Sequence, residues 1–253
     1  MADRRWAGLA GSLVDLVLPR TCAGCGVPGS VLCGLCSADL AVPHLAAPRR
    51  VPWGFPPTVA AGAYAGRVRP AVVAFKERGR AELAAPLGAA LALAVAAATA
   101  AVPGRRPVLL VPVPSSPAAL RSRGRDHVRE LTRVAVAELR AAGVDAAEAR
   151  LLARRGRVRD SAGLSAEQRR ANLAGSFTAS GAASADALVV IVDDVSTSGA
   201  TLTEAAAVLA AAVLAAGPAR RAAPVLAAVV AATPRRDPGP EPGRDLAVVA
   251  PPC

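Results

Sequence analysis

Two sets of residues in this chain have types and spacings that could do chemistry. The first is Val189-Val190-Ile191-Val192-Asp193-Asp194-Val195-Ser196-Thr197-Ser198-Gly199-Ala200-Thr201, an apolar run, two adjacent carboxylates, then small hydroxylated residues and glycine. In open α/β sheets, ligands bind beyond the carboxyl ends of the strands. Phosphate oxygens there take N–H bonds from a helix N-terminus, helped by its dipole. Ser196, Thr197, Ser198, Gly199, Ala200 and Thr201 form the expected phosphate loop. Gly199 lets the chain turn tightly, and the hydroxyls of Thr197, Ser198 and Thr201 add donors. Asp193 and Asp194 would repel a phosphate, so they suit ribose hydroxyls or a divalent cation held through water. A ribose-5-phosphate pocket is the chemistry this describes. The loop has no Gly-Lys-Ser/Thr, and the chain has no G-x-G-x-x-G fingerprint.

The second set is Cys22-x-x-Cys25 and Cys33-x-x-Cys36, two knuckles that can each offer two thiolates to one tetrahedral ion. Gly24, Gly26, Pro28 and Gly34 supply turns. No export signal is read: Arg4-Arg5 precede an apolar stretch, but Asp15 interrupts it and no cleavage site follows. A cytoplasmic location is therefore expected, and structural Zn²⁺ outranks disulfides. His44 and Cys253 read as ordinary surface residues.

These groups need a scaffold. The chain has 253 residues, 53% of them hydrophobic and 19% charged, enough to build a core. Aromatics are 2%, and much of the apolar count is Ala. Residues 1–50 are expected as one unit, an amphipathic helix (Trp6, Leu9, Leu13, Leu16, Val17) followed by the cysteine module and proline punctuation. Residues 51–233 are expected as an α/β domain and 234–253 as a tail rich in Pro, Gly and charge. Within the domain, strands are expected at Thr58–Tyr64, Val108–Val113, Leu151–Leu152, Leu188–Val192 and Val225–Ala232. Helices are expected from Val68, through the Ala-rich run to Val102, around Val128–Leu139, at Gln168–Leu173 and from Leu202. Strands alternating with helices argue for a parallel sheet covered on both faces. The run Ala84–Val102 is long enough to span a membrane, but Ala drives insertion weakly, so a buried helix without stable membrane insertion is expected.

Thirty basic against nineteen acidic residues give a net charge of +11. Such a balance favours anionic partners, and Lys76 is the only lysine. A solvated basic surface and an anion-binding face are both open readings of the arginine clusters.

The strand, acid pair, Ser-Thr-Gly loop and helix together resemble the signature of the type I phosphoribosyltransferases. The wider order is four cysteines, Val111-Pro112-Val113-Pro114, an Arg-x-Arg-Gly segment, Gln168-Arg169-Arg170-Ala171-Asn172, then the acid loop. It is similar to the ComF family, phosphoribosyltransferase-like proteins associated with DNA uptake in competent bacteria.

The resemblance implies a type I phosphoribosyltransferase-like parallel sheet flanked by helices, with a small N-terminal four-cysteine zinc module. It implies binding of phosphoribosyl diphosphate or a nucleotide, with Mg²⁺ accompanying the diphosphate. Asp193 and Asp194 would orient the sugar during transfer to an unidentified acceptor. Pro114 and Ser115 would belong to a diphosphate loop, with Arg121, Arg123 and Arg125 beginning the next helix as anion contacts. His127 reads as a neutral base or a bystander. Arg169, Arg170 and Asn172 line the cleft or solvate a turn. Lys76 and Arg78 match a family segment, with a solvated helix end as the alternative. Departures from the family at Arg125-Asp126-His127 and Ser161 fall where an acceptor would be chosen. A non-catalytic binder of single-stranded DNA or nucleotide working with DNA-uptake proteins, and a phosphoribosyl-diphosphate sensor, are the competing expectations. Trp53, Phe55, Tyr64 and Phe75 are the aromatics able to stack on a base.

Overall fold

Two runs, Leu188–Ser196 and Leu226–Ala232, are buried almost throughout and pair in parallel at the centre of a six-stranded sheet. The computed structural model describes residues 20–104, 106–155, 175–181, 186–215 and 225–234. In chain order the strands are β1 (His44–Leu45), β2 (Thr58–Ala63), β3 (Val108–Pro112), β4 (Ala146–Glu148), β5 (Leu152–Arg154), β6 (Phe177–Ala179), β7 (Leu188–Ser196) and β8 (Leu226–Ala232). The helices are α1 (Gly34–Ala38), α2 (Val68–Glu77), α3 (Ala84–Ala100), α4 (Pro117–Arg123), α5 (His127–Ala141) and α6 (Ala200–Ala215). The sheet order is β1-β2-β8-β7-β3-β4, with every neighbouring pair parallel except β1 with β2. The antiparallel edge strand β1 and the short β4 depart from the expected pattern. Two and three residues are too few to show a hydrophobic period.

The central strands read as unbroken apolar runs because both faces are covered. Val190 and Val192 of β7 join Leu110, Val230, and the Leu87, Leu91, Val95, Leu131 and Leu139 side chains of α3 and α5. Val189 and Ile191 point the other way, into Val111, Val229 and the Leu202, Ala205 and Leu209 side chains of α6. That second layer also holds Leu152 and Phe177 of β5 and β6, which form a separate antiparallel ribbon. The strand expected at Leu151–Leu152 thus exists but lies outside the main sheet.

The chain after β3 crosses to one face and the chain after β7 to the other. The carboxyl ends of these neighbours consequently flank a topological switch point, where open sheets leave a crevice. Among the described residues, one helical window, Ala81–Ala100, is long and apolar enough to cross a membrane, but half of it is buried in this core.

The expected break near residue 50 is not a break in packing. β1 hydrogen-bonds to β2, and Cys22, Leu32, Cys36 and Leu40 sit in the same apolar cluster as α2 and α3. Arg67 pairs with Asp39 through two contacts of 2.9 and 3.1 Å, and Arg80 donates to the Thr21 carbonyl at 2.8 Å. The N-terminal helix, Gln168–Leu173 with Arg169, Arg170 and Asn172, Ser161, and all but the start of the tail lie outside the described residues.

The close crossing of α3 on α5 depends on Gly88, where a Cβ would lie 2.5 Å from Val134 Cβ and 3.2 Å from the Leu131 carbonyl. Alanine would gain about 1 kcal/mol of helix propensity, whereas overpacking a closed interface costs about 1–3 kcal/mol. Packing should win. Gly88→Ala is expected to lower the melting temperature by several degrees, and an increase would show that this interface is loose.

Candidate functional site

β7 does not stop at the acid pair. Its ladder with β8 continues through Asp193 and Val195 to Ser196, so Ser196 is a buried strand residue rather than part of the loop. The turn is only Thr197-Ser198-Gly199, and α6 begins at Ala200. Gly199 has φ +74°, and a Cβ there would lie 2.7 Å from Phe55 Cε2 and 3.2 Å from Pro48 Cγ. The segment between β1 and β2 therefore buttresses the turn from outside. Thr197 is exposed, Ser198 and Thr201 are partly exposed, and Ala200 is buried. Exposure leaves those three hydroxyls as the side-chain donors of the loop.

The β pleat sends the two carboxylates to opposite faces. Asp194 is 3% exposed and faces α2 and α5. Its Oδ2 lies 2.7 Å from Lys76 Nζ and 3.1 Å from His127 Nε2, while its Oδ1 accepts the Val195 N–H at 2.8 Å. Burial works against this charge, but the His127 hydrogen bond and the Lys76 ammonium outweigh it and hold Asp194 well below the usual carboxylate range. Lys76 is likewise penalised by burial, yet the charges of Asp194 and Asp193 raise it above the usual lysine value.

Asp193 points toward the α6 face, partly exposed, and accepts the Asp194 N–H at 2.8 Å. Burial and the neighbouring Asp194 charge push it up to about 8. The pair thus divides into one carboxyl held as an anion and one on which a proton is favoured.

Lys76 and His127 belong to this site, and spacing gave no direct sign of either. Lys76 is not a solvated helix end, and His127 is a buried partner of the acid pair, 3% exposed. Its Nδ1 has no hydrogen-bond partner among the described residues.

The Pro112–Ser115 segment lies directly beside β7, with the Val113 N–H donating to the Val192 carbonyl at 2.9 Å. Ser115 Oγ donates to Asp126 Oδ1 at 3.2 Å, and Arg154 Nε donates to the Pro114 carbonyl at 2.9 Å. A pocket of about 110 Å³ opens here, lined by Pro112, Pro114, Asp126, Arg129, Arg150 and Leu152. A larger one of about 470 Å³ includes Val108 and Leu188, so it lies at the amino end of the sheet, away from the acid pair. Ligand chemistry favours the carboxyl end.

The three arginines do not begin a helix. Arg121 and Arg123 lie in the last turn of α4, which Gly124 ends with φ +66°. Arg123 Nη2 contacts Glu77 Oε1 at 2.8 Å. Arg125 is bound to Glu130 and stacks over the Phe75 ring at 4.3 Å. Arg121 is exposed. Phe75 itself is 1% exposed and cannot offer a stacking face to a base.

The four cysteine sulfurs lie within 4.8 Å of one another, with Cys25 and Cys33 3.6 Å apart. Tetrahedral Zn–S bonds of ~2.3 Å place sulfurs about 3.8 Å apart, so the cluster fits a single ion. A Cβ on Gly24 would lie 2.7 Å from Cys36 Sγ and 2.9 Å from the Arg67 carbonyl, so glycine is what lets the first knuckle close. Without metal the thiols divide. Burial opposes the Cys22 thiolate, but N–H bonds from Cys33, Cys25 and Gly24 bring it down to about 6, while burial and its sulfur neighbours push Cys36 up. His44 is exposed on β1 and outside the cluster.

The chain matches no protein-family model and no curated protein sequence.

The asymmetry of the acid pair has opposite consequences for stability. A carboxyl raised in the folded state loses stability as pH climbs from about 4 through its raised value. Asp193→Asn is therefore expected to raise the melting temperature at pH 8.5, with the gain shrinking toward pH 5. Asp194 contributes stability above its unfolded value, so Asp194→Asn should cost about 3 kcal/mol at neutral pH, because Lys76 and His127 lose their anion. Thermal melts of both variants across pH 5–8.5 check this. Equal destabilisation by the two substitutions would refute the assignment.

Proposed function

We propose that this crevice binds the phosphoribosyl group of phosphoribosyl diphosphate, or of a nucleotide, and supports its transfer to an acceptor. One arrangement carries the reading: an acid pair at the end of the central strand, a Gly199-dependent turn into the N-terminus of α6, and the Pro112–Ser115 segment alongside. The 5-phosphate would lie on the α6 N-terminus with the Thr197, Ser198 and Thr201 hydroxyls. Asp193, on the accessible side, would take the ribose hydroxyls. As the diphosphate departs, positive charge grows at the anomeric carbon, and the Asp194 anion would stabilise it from a fixed position while Asp193 holds the ribose hydroxyls. Asp194 acts through its field and by holding Lys76 and His127. It is a positioning group rather than a ligand contact. Pro114 and Ser115 stand where the diphosphate would lie, and Mg²⁺ would arrive with that group. The resemblance to the ComF family supports the same reading.

A second reading, a nucleotide or single-stranded DNA binder, draws on Trp53, 98% exposed beside the segment whose Phe55 rests on Gly199. An exposed indole is a stacking platform.

Phosphoribosyl diphosphate with Mg²⁺, at about 100 times its Kd, should raise the melting temperature by roughly 5 °C or more. Asp193→Asn should abolish the rise, and diphosphate release across a panel of bases and amines reports transfer. No shift at millimolar ligand, together with salt-steep binding of single-stranded DNA, would leave the second reading.

The four cysteines are proposed to hold one structural Zn²⁺, their thiolates filling all four positions and leaving none for substrate. Metal analysis should return about one zinc per chain. Cys25→Ser should lose it and melt earlier, and full retention of zinc would exclude the site.

A further inference from the structure

We propose that Lys76 is a built-in cation of this crevice, replacing a divalent ion at Asp194 and offering its remaining protons to an anionic ligand. The inference rests on the reading of the crevice as a phosphate site. Three observations carry it.

The first is composition. Lys76 is the single lysine among 30 basic residues. A chain that otherwise uses arginine as its long-chain cation places its ammonium in direct contact with Asp194, while the Arg154 guanidinium feels the Asp193 charge without a salt bridge to either acid among the described residues. An ammonium is a compact point charge with three donors, whereas a guanidinium is a planar fork that prefers two parallel bonds to one carboxylate.

The second is geometry. Lys76 Nζ lies 2.7 Å from Asp194 Oδ2, the same oxygen that His127 Nε2 approaches at 3.1 Å. Asp194 Oδ1 is engaged by the Val195 N–H at 2.8 Å. Both oxygens therefore have donors, and a side chain only 4% exposed leaves little room for a hydrated metal ion beside them. The carboxylate is neutralised from within the fold.

The third is access. Asp194 keeps 4% side-chain exposure, but Lys76 keeps 31%. The Lys76 side chain thus runs between the buried carboxylate and the partly open carboxyl end of β7. One of its three N–H groups serves Asp194, and the others can meet a phosphate or diphosphate oxygen. Magnesium commonly bridges carboxylate and phosphate in such sites. Here a side chain has the charge and reach to make the bridge.

The test is calorimetric titration of the full chain with inorganic pyrophosphate, without added divalent ion and again with Mn²⁺. The unaltered chain should saturate without Mn²⁺. Lys76→Arg, which keeps the charge, should fold normally and bind at least about fivefold more weakly, because the fork cannot satisfy both partners. Lys76→Met should lose at least about tenfold in affinity, and Mn²⁺ should restore binding more than it improves the unaltered chain, since Asp194 is then open to an ion. Circular dichroism and melting curves establish that each variant is folded. The proposal is overturned if the unaltered chain needs Mn²⁺ to bind pyrophosphate, or if folded Lys76→Arg or Lys76→Met binds as tightly as it does. Failure of the unaltered chain to bind pyrophosphate under either condition would instead remove the phosphate crevice itself.

Discussion

A carboxylate set into the buried face of a central β-strand is tolerable only with a cation or hydrogen-bond donors beside it, since an isolated charge there would cost several kcal/mol or take up a proton. Asp194 occupies that position. Its two partners come from different parts of the chain, Lys76 from the last turn of α2 and His127 from the first residue of α5. The interaction therefore ties one helix end and one helix start to the middle of the sheet. Phe75, next to Lys76, is edge-on to His127 with ring centroids 6.3 Å apart and lies under Arg125, so the cluster continues into the core. Any ligand at the carboxyl end of β7 meets a surface whose charge is set by this network.

The same constraint makes the acid pair unequal. Adjacent residues on a strand cannot share a face, so Asp193 lacks the partners that Asp194 has. Its nearest charges are the Asp194 anion, which repels it, and Lys76, already committed to Asp194. A held anion therefore sits beside a carboxyl on which a proton is favoured. In the proposed transfer, the first would stabilise developing positive charge, and the second would exchange hydrogen bonds with hydroxyls as donor or acceptor.

Support for the turn comes from an unexpected direction. β2 starts at the amino end of the sheet, yet the segment before it climbs to bring Phe55 and Pro48 against Gly199 at the carboxyl end. That segment follows directly from β1 and the cysteine module, whose own apolar residues share the core with α2 and α3. A metal held by Cys22, Cys25, Cys33 and Cys36 would therefore stiffen more than a detached knuckle. It would steady the approach to the Thr197–Gly199 turn, because the segment that packs on Gly199 follows directly from β1. Arg123 at the end of α4 and Arg125 just beyond it do different work from that expected of free anion contacts. Arg123 and Arg125 are consumed by Glu77 and Glu130, which fix the helices around the crevice rather than line it.

The local features of the candidate site were legible in the amino-acid order alone. A continuous apolar run ending in acids, then a Thr-Ser-Gly turn and an Ala-rich helix, specifies strand, turn and helix through backbone sterics and burial. Two C-x-x-C knuckles specify a four-thiolate cluster because each bite is short-range. What depended on the tertiary fold was everything set by long-range pairing. Lys76 and His127 are far from Asp194 in the chain, His127 by 67 residues and Lys76 by more, and only the stacking of α2 and α5 on the same sheet face turns an ordinary helix end and a lone histidine into partners of a carboxylate. The antiparallel edge β1 and the removal of β5 to a separate ribbon were hidden for a related reason: strands of two or three residues take their pairing from neighbours rather than from their own pattern. Sequence determined which chemistry the chain could carry, and the packing of two helices on one sheet face decided which carboxyl would hold its charge.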